Sequence, residues 1–131
     1  MKGKRILLAE DNDLNAEIAV TILEDKGFIV DRVEDGVRCV AKMEQELAGT
    51  YDLILMDIQM PNMNGYKTTQ TIRQLPDKNK ADVLVAMTAN AFKEDQEQAF
   101  SVGMNGHIAK PVDVDKLEQV LISILKINKY L

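Results

Sequence analysis

The chain has no tryptophan, one cysteine, three prolines and only six aromatic residues, three tyrosines and three phenylalanines. A lone cysteine, Cys39, cannot close an internal disulfide, so a disulfide-stapled secreted scaffold is excluded and a reducing, cytoplasmic setting is expected. With three prolines and seven glycines, no internal repeat, low-complexity tract or interdomain linker appears. Long apolar runs are missing too. Ile6-Leu7-Leu8-Ala9 stops at Glu10-Asp11, far short of the ~20 residues that cross a bilayer and too short for a signal peptide after Met1-Lys2-Gly3-Lys4-Arg5. No membrane contact by this chain is expected. Surplus positive charge is absent as well. With 21 acids against 16 bases the net charge is −5, which leaves no general footprint for nucleic acid. What is present is an ordinary globular composition, 46% hydrophobic and 28% charged over 131 residues. That predicts one domain over 1–131 with a core that needs no staples.

Five short apolar runs alternate with amphipathic stretches. The runs are Arg5–Ala9, Phe28–Val33, Asp52–Met56, Asp82–Met87 and His107–Ala109. Ile6–Ala9 and Leu53–Met56 are apolar at every position, the pattern of strands buried on both faces. Between the first two runs, Leu14, Ile18, Ile22 and Leu23 recur at helical spacing, and Gly27 offers a stop. Helical spacing returns over Gly36–Leu47, Tyr66–Leu75 and Ala91–Val102. The last stretch follows Asp113, a good N-cap, with Leu117, Leu121, Ile124 and Leu125 on one face. Leu75 to Lys80 reads as a surface loop. The order βαβαβαβαβα predicts a parallel sheet covered by helices on both faces. In such sheets ligands bind beyond the carboxyl ends of the strands.

Those ends are rich in chemistry. Glu10-Asp11-Asn12-Asp13 follows the first run, Asp57-Ile58-Gln59-Met60-Pro61 the third, Thr88-Ala89-Asn90 the fourth and Lys110-Pro111 the fifth. Parallel strands would bring all four groups to one edge. Crowded carboxylates resist full ionisation unless a cation joins them, and hard oxygen donors suit Mg²⁺. An ammonium and a hydroxyl beside them suit phosphoryl oxygens, and an aspartate can be the nucleophile. The chemistry implied is phosphoryl transfer to a carboxylate.

These segments, together with Gly103-Met104-Asn105-Gly106-His107-Ile108-Ala109-Lys110-Pro111, give the sequence its likeness. It resembles the receiver domain of two-component response regulators over essentially its whole length. The resemblance implies a flavodoxin-like (βα)5 fold, with a five-stranded parallel sheet of order 2-1-3-4-5. It implies that Asp57 accepts a phosphoryl group from a phosphohistidine. Glu10, Asp11, Asp57 and the backbone carbonyl of Gln59 would hold Mg²⁺, for which Mn²⁺ can stand in, Glu10 mainly through water. Thr88 and Lys110 would grip the phosphoryl oxygens, Thr88 and His107 would form the switch, and Gln59 and Asn90 would modulate the reaction. The Lys110–Pro111 bond would be cis. The implied partner is a sensor histidine kinase or a histidine phosphotransfer domain, docked on the first helix at Asn15, Ile18 and Ala19. Output, or weak dimerisation of a monomer, would use the face of the fourth helix, fifth strand and last helix.

Glu10-Asp11-Asn12, Asp57-Ile58-Gln59-Met60-Pro61 and Thr88-Ala89-Asn90-Ala91 are most similar to receivers attached to hybrid sensor kinases. Asn64 departs from the family's usual aspartate before Gly65, which touches only a helix cap. The length leaves room for neither a kinase core nor a DNA-binding output domain, so either an excised segment or a stand-alone receiver is expected. Two other functions fit the architecture less well. An aspartyl-phosphate phosphatase wants a second acid where Gln59 stands. A flavodoxin-like cofactor binder wants a phosphate loop where Glu10-Asp11-Asn12-Asp13 would repel phosphate. A degenerate receiver is opposed by the complete set of site residues. Taken alone, His107 reads equally well as half-buried packing, Cys39 as core, and Met56, Met60 and Met87 as core filling.

Overall fold

A computed structural model of the protein describes residues 3–47, 49–76, 83–89 and 93–124, for Lys93 and Ile124 the backbone alone. Five strands alternate with five helices: β1 (Arg5–Ala9), α1 (Asp13–Asp25), β2 (Ile29–Val33), α2 (Gly36–Gln45), β3 (Leu53–Asp57), α3 (Gly65–Arg73), β4 (Leu84–Thr88), α4 (Lys93–Ser101), β5 (Gly106–Ala109) and α5 (Val114–Ile124). The strands form one sheet of order β2-β1-β3-β4-β5, all neighbours parallel. This is the order the resemblance implies.

The central strands explain the apolar runs. β1 and β3 are buried along nearly their whole length because helices cover both faces of the sheet. Ile6, Leu8, Leu55 and Val85 point to one side, where they meet Ala16, Ala19 and Leu23 of α1 and Leu117 and Leu121 of α5. Leu7, Ile54, Met56 and Leu84 point to the other, against Cys39 and Met43 of α2, Ile72 of α3 and Ala99 of α4. Cys39 is core as expected, and burial pushes its thiol up to about 12. Met56, Met60 and Met87 are buried as packing residues.

Several boundaries differ from the sequence expectation. The third and fourth strands run on to Asp57 and Thr88, so both residues are the last of their strands rather than the first of a loop. α2 ends at Gln45 and leaves Leu47 84% exposed. The expected inward face of α1 holds at Leu23, which is buried, and at Ile22, which packs against the core, but is corrected at Leu14, 65% exposed, and Ile18, 45% exposed, where Ala16 and Ala19 are buried instead. Small side chains let this helix lie close to the sheet. Residues 77–82, 90–92 and 125–131 lie outside the described residues, and with them Asn90, Ala91, Leu125 and most of the expected loop after Leu75.

Helix ends follow local chemistry. Asn12, Asp35 and Asn64 each accept a backbone N–H three residues on, from Asn15, Arg38 and Lys67, and Asp113 accepts from Asp115 and Lys116. Asn64 therefore caps α3 as the usual aspartate would. Gly27, with φ 96°, closes α1 by taking the left-handed turn that the Phe28 N–H to Leu23 carbonyl bond requires. At Gly65 a Cβ would lie 2.7 Å from the Asp57 carbonyl oxygen, so the start of α3 sits directly against the end of β3.

Candidate functional site

Parallel pairing places Ala9, Val33, Asp57, Thr88 and Ala109 at one edge of the sheet, and the residues that follow them converge there. Asp57 ends β3 and is 4% exposed; Glu10, just beyond β1, is 2% exposed. Lys110 follows β5 and reaches both. Its Nζ stands 2.6 Å from Asp57 Oδ2 and 3.1 Å from Glu10 Oε1. The other Asp57 oxygen accepts the Gln59 N–H at 3.1 Å, and Glu10 Oε2 accepts the Asn12 N–H at 3.2 Å. Burial draws the Lys110 pKa down, yet the hydrogen bonds and charges of Asp57 and Glu10 outweigh it and hold the ammonium above its ordinary range. The Lys110–Pro111 bond is cis, as the resemblance implies.

Asp11 is exposed, and it completes the cluster. Carboxylate oxygens of Glu10, Asp11 and Asp57 all lie within 4.8 Å of one another. Three hard anionic donors so close fit a small divalent cation, and one ammonium cannot neutralise all three. Beside them opens a cleft of about 650 Å³ lined by Asp57, Gln59, Met60, Thr88 and Lys110 among others, so the buried carboxylate is reachable from solvent. Thr88 is half-buried and lines it from the end of β4. Lys110 N–H donates to the Thr88 carbonyl at 2.9 Å, tying the two strand ends together.

Sequence reasoning did not single out three further residues around this edge. Arg32 of β2 donates from Nε at 3.0 Å and Nη2 at 2.7 Å to the Glu10 carbonyl, and from Nη1 at 2.9 Å to Asp13. Asp35, buried before α2, accepts from the Arg38 N–H and Nη1, both at 2.8 Å, and from Asn62 Nδ2 at 2.9 Å. The Arg38 backbone bond first, then the Asn62 amide and the Arg38 charge, outweigh burial and hold the Asp35 carboxyl below its ordinary range. Asn62 takes a positive φ of 67° in the loop between β3 and α3, and its bond to Asp35 anchors the loop that carries Gln59. The only sequence signal for these would have been the charged pair Asp31-Arg32 within a strand otherwise made of β-branched residues, and a polar residue before the glycine that opens α2, at Asp35.

Away from the carboxylates, His107 lies half-buried on β5 in register with Ala86, two residues before the Ala109 that pairs with Thr88. It lines a groove with Phe100, Lys116, Gln119 and Val120. Beside α1 a hollow of about 290 Å³ runs from Glu10 and Lys110 to Asn15, Ile18 and Ala19 and to Pro111 and Val112. The three expected docking residues thus line one hollow beside the site, but Ala19 is 5% exposed and belongs to the core.

The fold and this acidic edge define a doubly wound α/β protein whose ligand site lies at the carboxyl ends of its strands. A family model for the response regulator receiver domain matches residues 6–122, and the chain belongs to that family. It is 39% identical over 135 residues to hybrid signal transduction histidine kinase B of Dictyostelium discoideum, across 95% of this chain and 7% of that kinase. The chain therefore spans only a small part of the curated relative it matches. It is also similar to the receiver domain of a sensor histidine kinase from Pseudomonas aeruginosa, solved with magnesium in its active-site cleft, at 35% identity and a TM-score of 0.81, over 95% of this chain and 98% of that one. A likeness in fold alone, at 23% identity and a TM-score of 0.77, covers 92% of this chain and 88% of a response regulator receiver from Saccharomyces cerevisiae crystallised with a histidine phosphotransfer protein. Among the described residues no helix is long and apolar enough to cross a membrane.

Proposed function

We propose that Asp57 is the phosphoacceptor of a two-component phosphorelay and takes its phosphoryl group from a phosphohistidine. One observation carries this reading. A nearly buried carboxylate faces an open cleft while an ammonium at 2.6 Å and two further carboxylates surround it. In the transfer an Asp57 oxygen forms the new O–P bond as the N–P bond of the donor breaks, and that electron pair returns to the imidazole nitrogen. Lys110 Nζ and the Thr88 hydroxyl receive the phosphoryl oxygens, and the Gln59 N–H keeps the carboxylate oriented. Glu10, Asp11, Asp57 and the Gln59 carbonyl would hold Mg²⁺, or Mn²⁺ in its place; when bound, the ion supplies positive charge against the phosphoryl oxygens. The chain is then an acceptor that loses its own phosphoryl group to water, not a separate enzyme, and the whole of 1–131 acts as one receiver unit. Its likeness to hybrid kinases supports a parent of that kind, with the receiver on the cytoplasmic side.

The donor protein docks over the hollow between α1 and the segment after β5, which shares Glu10 and Lys110 with the site, and brings its imidazole to Asp57 in the neighbouring cleft. Phosphorylation gives Thr88 a new acceptor, and His107 two positions along the neighbouring strand ladder carries the change to the groove by α5. Asn90 would modulate the reaction from beyond β4. The test is intact-mass measurement after incubation with acetyl phosphate and Mg²⁺. Wild type is expected to gain one phosphoryl group and Asp57→Asn none; an unchanged adduct in that variant would overturn the assignment. Ile18→Glu, a surface change, should block transfer from a phosphohistidine protein and leave acetyl phosphate labelling intact.

A further inference from the structure

We infer that Arg32 is a positioning residue for the cation site, holding the peptide between Glu10 and Asp11 in the conformation that presents both carboxylates. This rests on the reading of those acids as cation ligands. β1 ends at Ala9, yet the ladder to β2 continues one residue further, because the Glu10 N–H donates to the Val33 carbonyl at 3.1 Å. The chain leaves β2 after Val33 to start α2, and the Arg32 guanidinium takes the Glu10 carbonyl instead, through Nε at 3.0 Å and Nη2 at 2.7 Å. Both peptide groups flanking the Glu10 Cα are thus fixed to β2. The carbonyl so held belongs to the peptide whose nitrogen is that of Asp11. The third donor, Nη1, engages Asp13 at 2.9 Å in the first turn of α1, so one planar group spans the entire acidic turn from Glu10 to Asp13.

A planar fork suits this work and an ammonium does not, since only the guanidinium presents three donors in fixed geometry. Charge and geometry make opposite predictions here. As a positive charge near the cluster, Arg32 should repel a divalent cation, and its removal should tighten binding. As a clamp on the ligand-bearing turn, its loss should weaken binding, by about tenfold for the groups that orient metal ligands. The structure favours the clamp, because three hydrogen bonds converge on a turn that carries two of the ligands.

The experiment is calorimetric titration of Mg²⁺ into wild type, Arg32→Lys, Arg32→Met and Asp11→Asn, with circular dichroism to establish folding. Arg32→Lys keeps the charge and loses the fork, so its Kd should rise about tenfold. Arg32→Met should rise less, since losing the charge offsets part of the loss. A residue that merely stabilised β2 would lower the melting temperature of the magnesium-free protein and leave the Kd of the folded protein unmoved. A Kd for Arg32→Lys within twofold of wild type, with binding abolished by Asp11→Asn, would overturn the role of Arg32 and leave the cation site standing. Wild type that binds no Mg²⁺, or Asp11→Asn that binds normally, would overturn the cation site and the clamp together.

Discussion

At the residue scale the site is a problem of uncompensated charge. Among the described residues Lys110 is the single ammonium shared by Asp57 and Glu10, both nearly buried. Lys110→Met should leave two buried carboxylates facing each other and cost about 2 kcal/mol in chemical denaturation, below the usual loss for a fully buried pair because the lysine side chain is partly solvated. Millimolar Mg²⁺ should restore much of that loss; a variant that stays insensitive to it would argue against a cation among these acids. Asp35 gives a pH signature. Its folded pKa is depressed, so its contribution is present above the unfolded value near ~4 and is lost as pH falls through the folded one. Asp35→Asn still caps α2, and its melting temperature should fall less steeply than that of wild type below about pH 4. The placement of Asp57, Glu10, Asp11, Thr88 and Lys110 at one sheet edge was legible in the sequence because each ends an apolar run or follows one within two residues. Arg32 and Asn62 were not, because their roles depend on contacts between segments about 20 to 30 residues apart.

At the scale of elements, α2 fits closely against α3 and the loop before it at Gly36. A Cβ at Gly36 would collide with the Thr68 hydroxyl and stand 2.6 Å from the Met63 carbonyl oxygen. Gly36→Ala is therefore expected to cost about 2 kcal/mol by urea denaturation, as overpacked sites do. Adding Thr68→Ala should recover only part, since the Met63 carbonyl is backbone and cannot be trimmed. All five strands and helices were legible from apolar periodicity, with no end moved by more than two residues. The face of α1 was legible only in part, at Ile22 and Leu23. Leu14 and Ile18 have the spacing of core residues, yet the helix turns Ala16 and Ala19 inward. Periodicity counts hydrophobicity and misses closeness, which only the sheet beneath the helix reveals.

At the scale of the whole molecule, the proposed cation binding would be linked to folding, because an unfolded chain scatters the acids that the sheet edge gathers. At ~100 times its Kd, Mg²⁺ should add about 2.7 kcal/mol and raise the melting temperature, and Asp11→Asn should remove most of that gain. A melt indifferent to the ion would count against the site. The open sheet has another consequence, for solubility. β2 is an edge, and a strand edge with free amide groups can recruit a strand from another molecule. Its sequence, Ile29-Val30-Asp31-Arg32-Val33, would be a sticky run of β-branched residues without its two central charges. Asp31 is engaged by Tyr51 Oη at 2.8 Å and Arg5 at 3.2 Å, and Arg32 by the acidic turn, so both charges are held within the fold. Asp31→Val should leave the fold intact and raise light scattering on storage at high concentration. The contacts that brace this strand thus also hold in place the two charges that oppose edge-to-edge pairing of two copies.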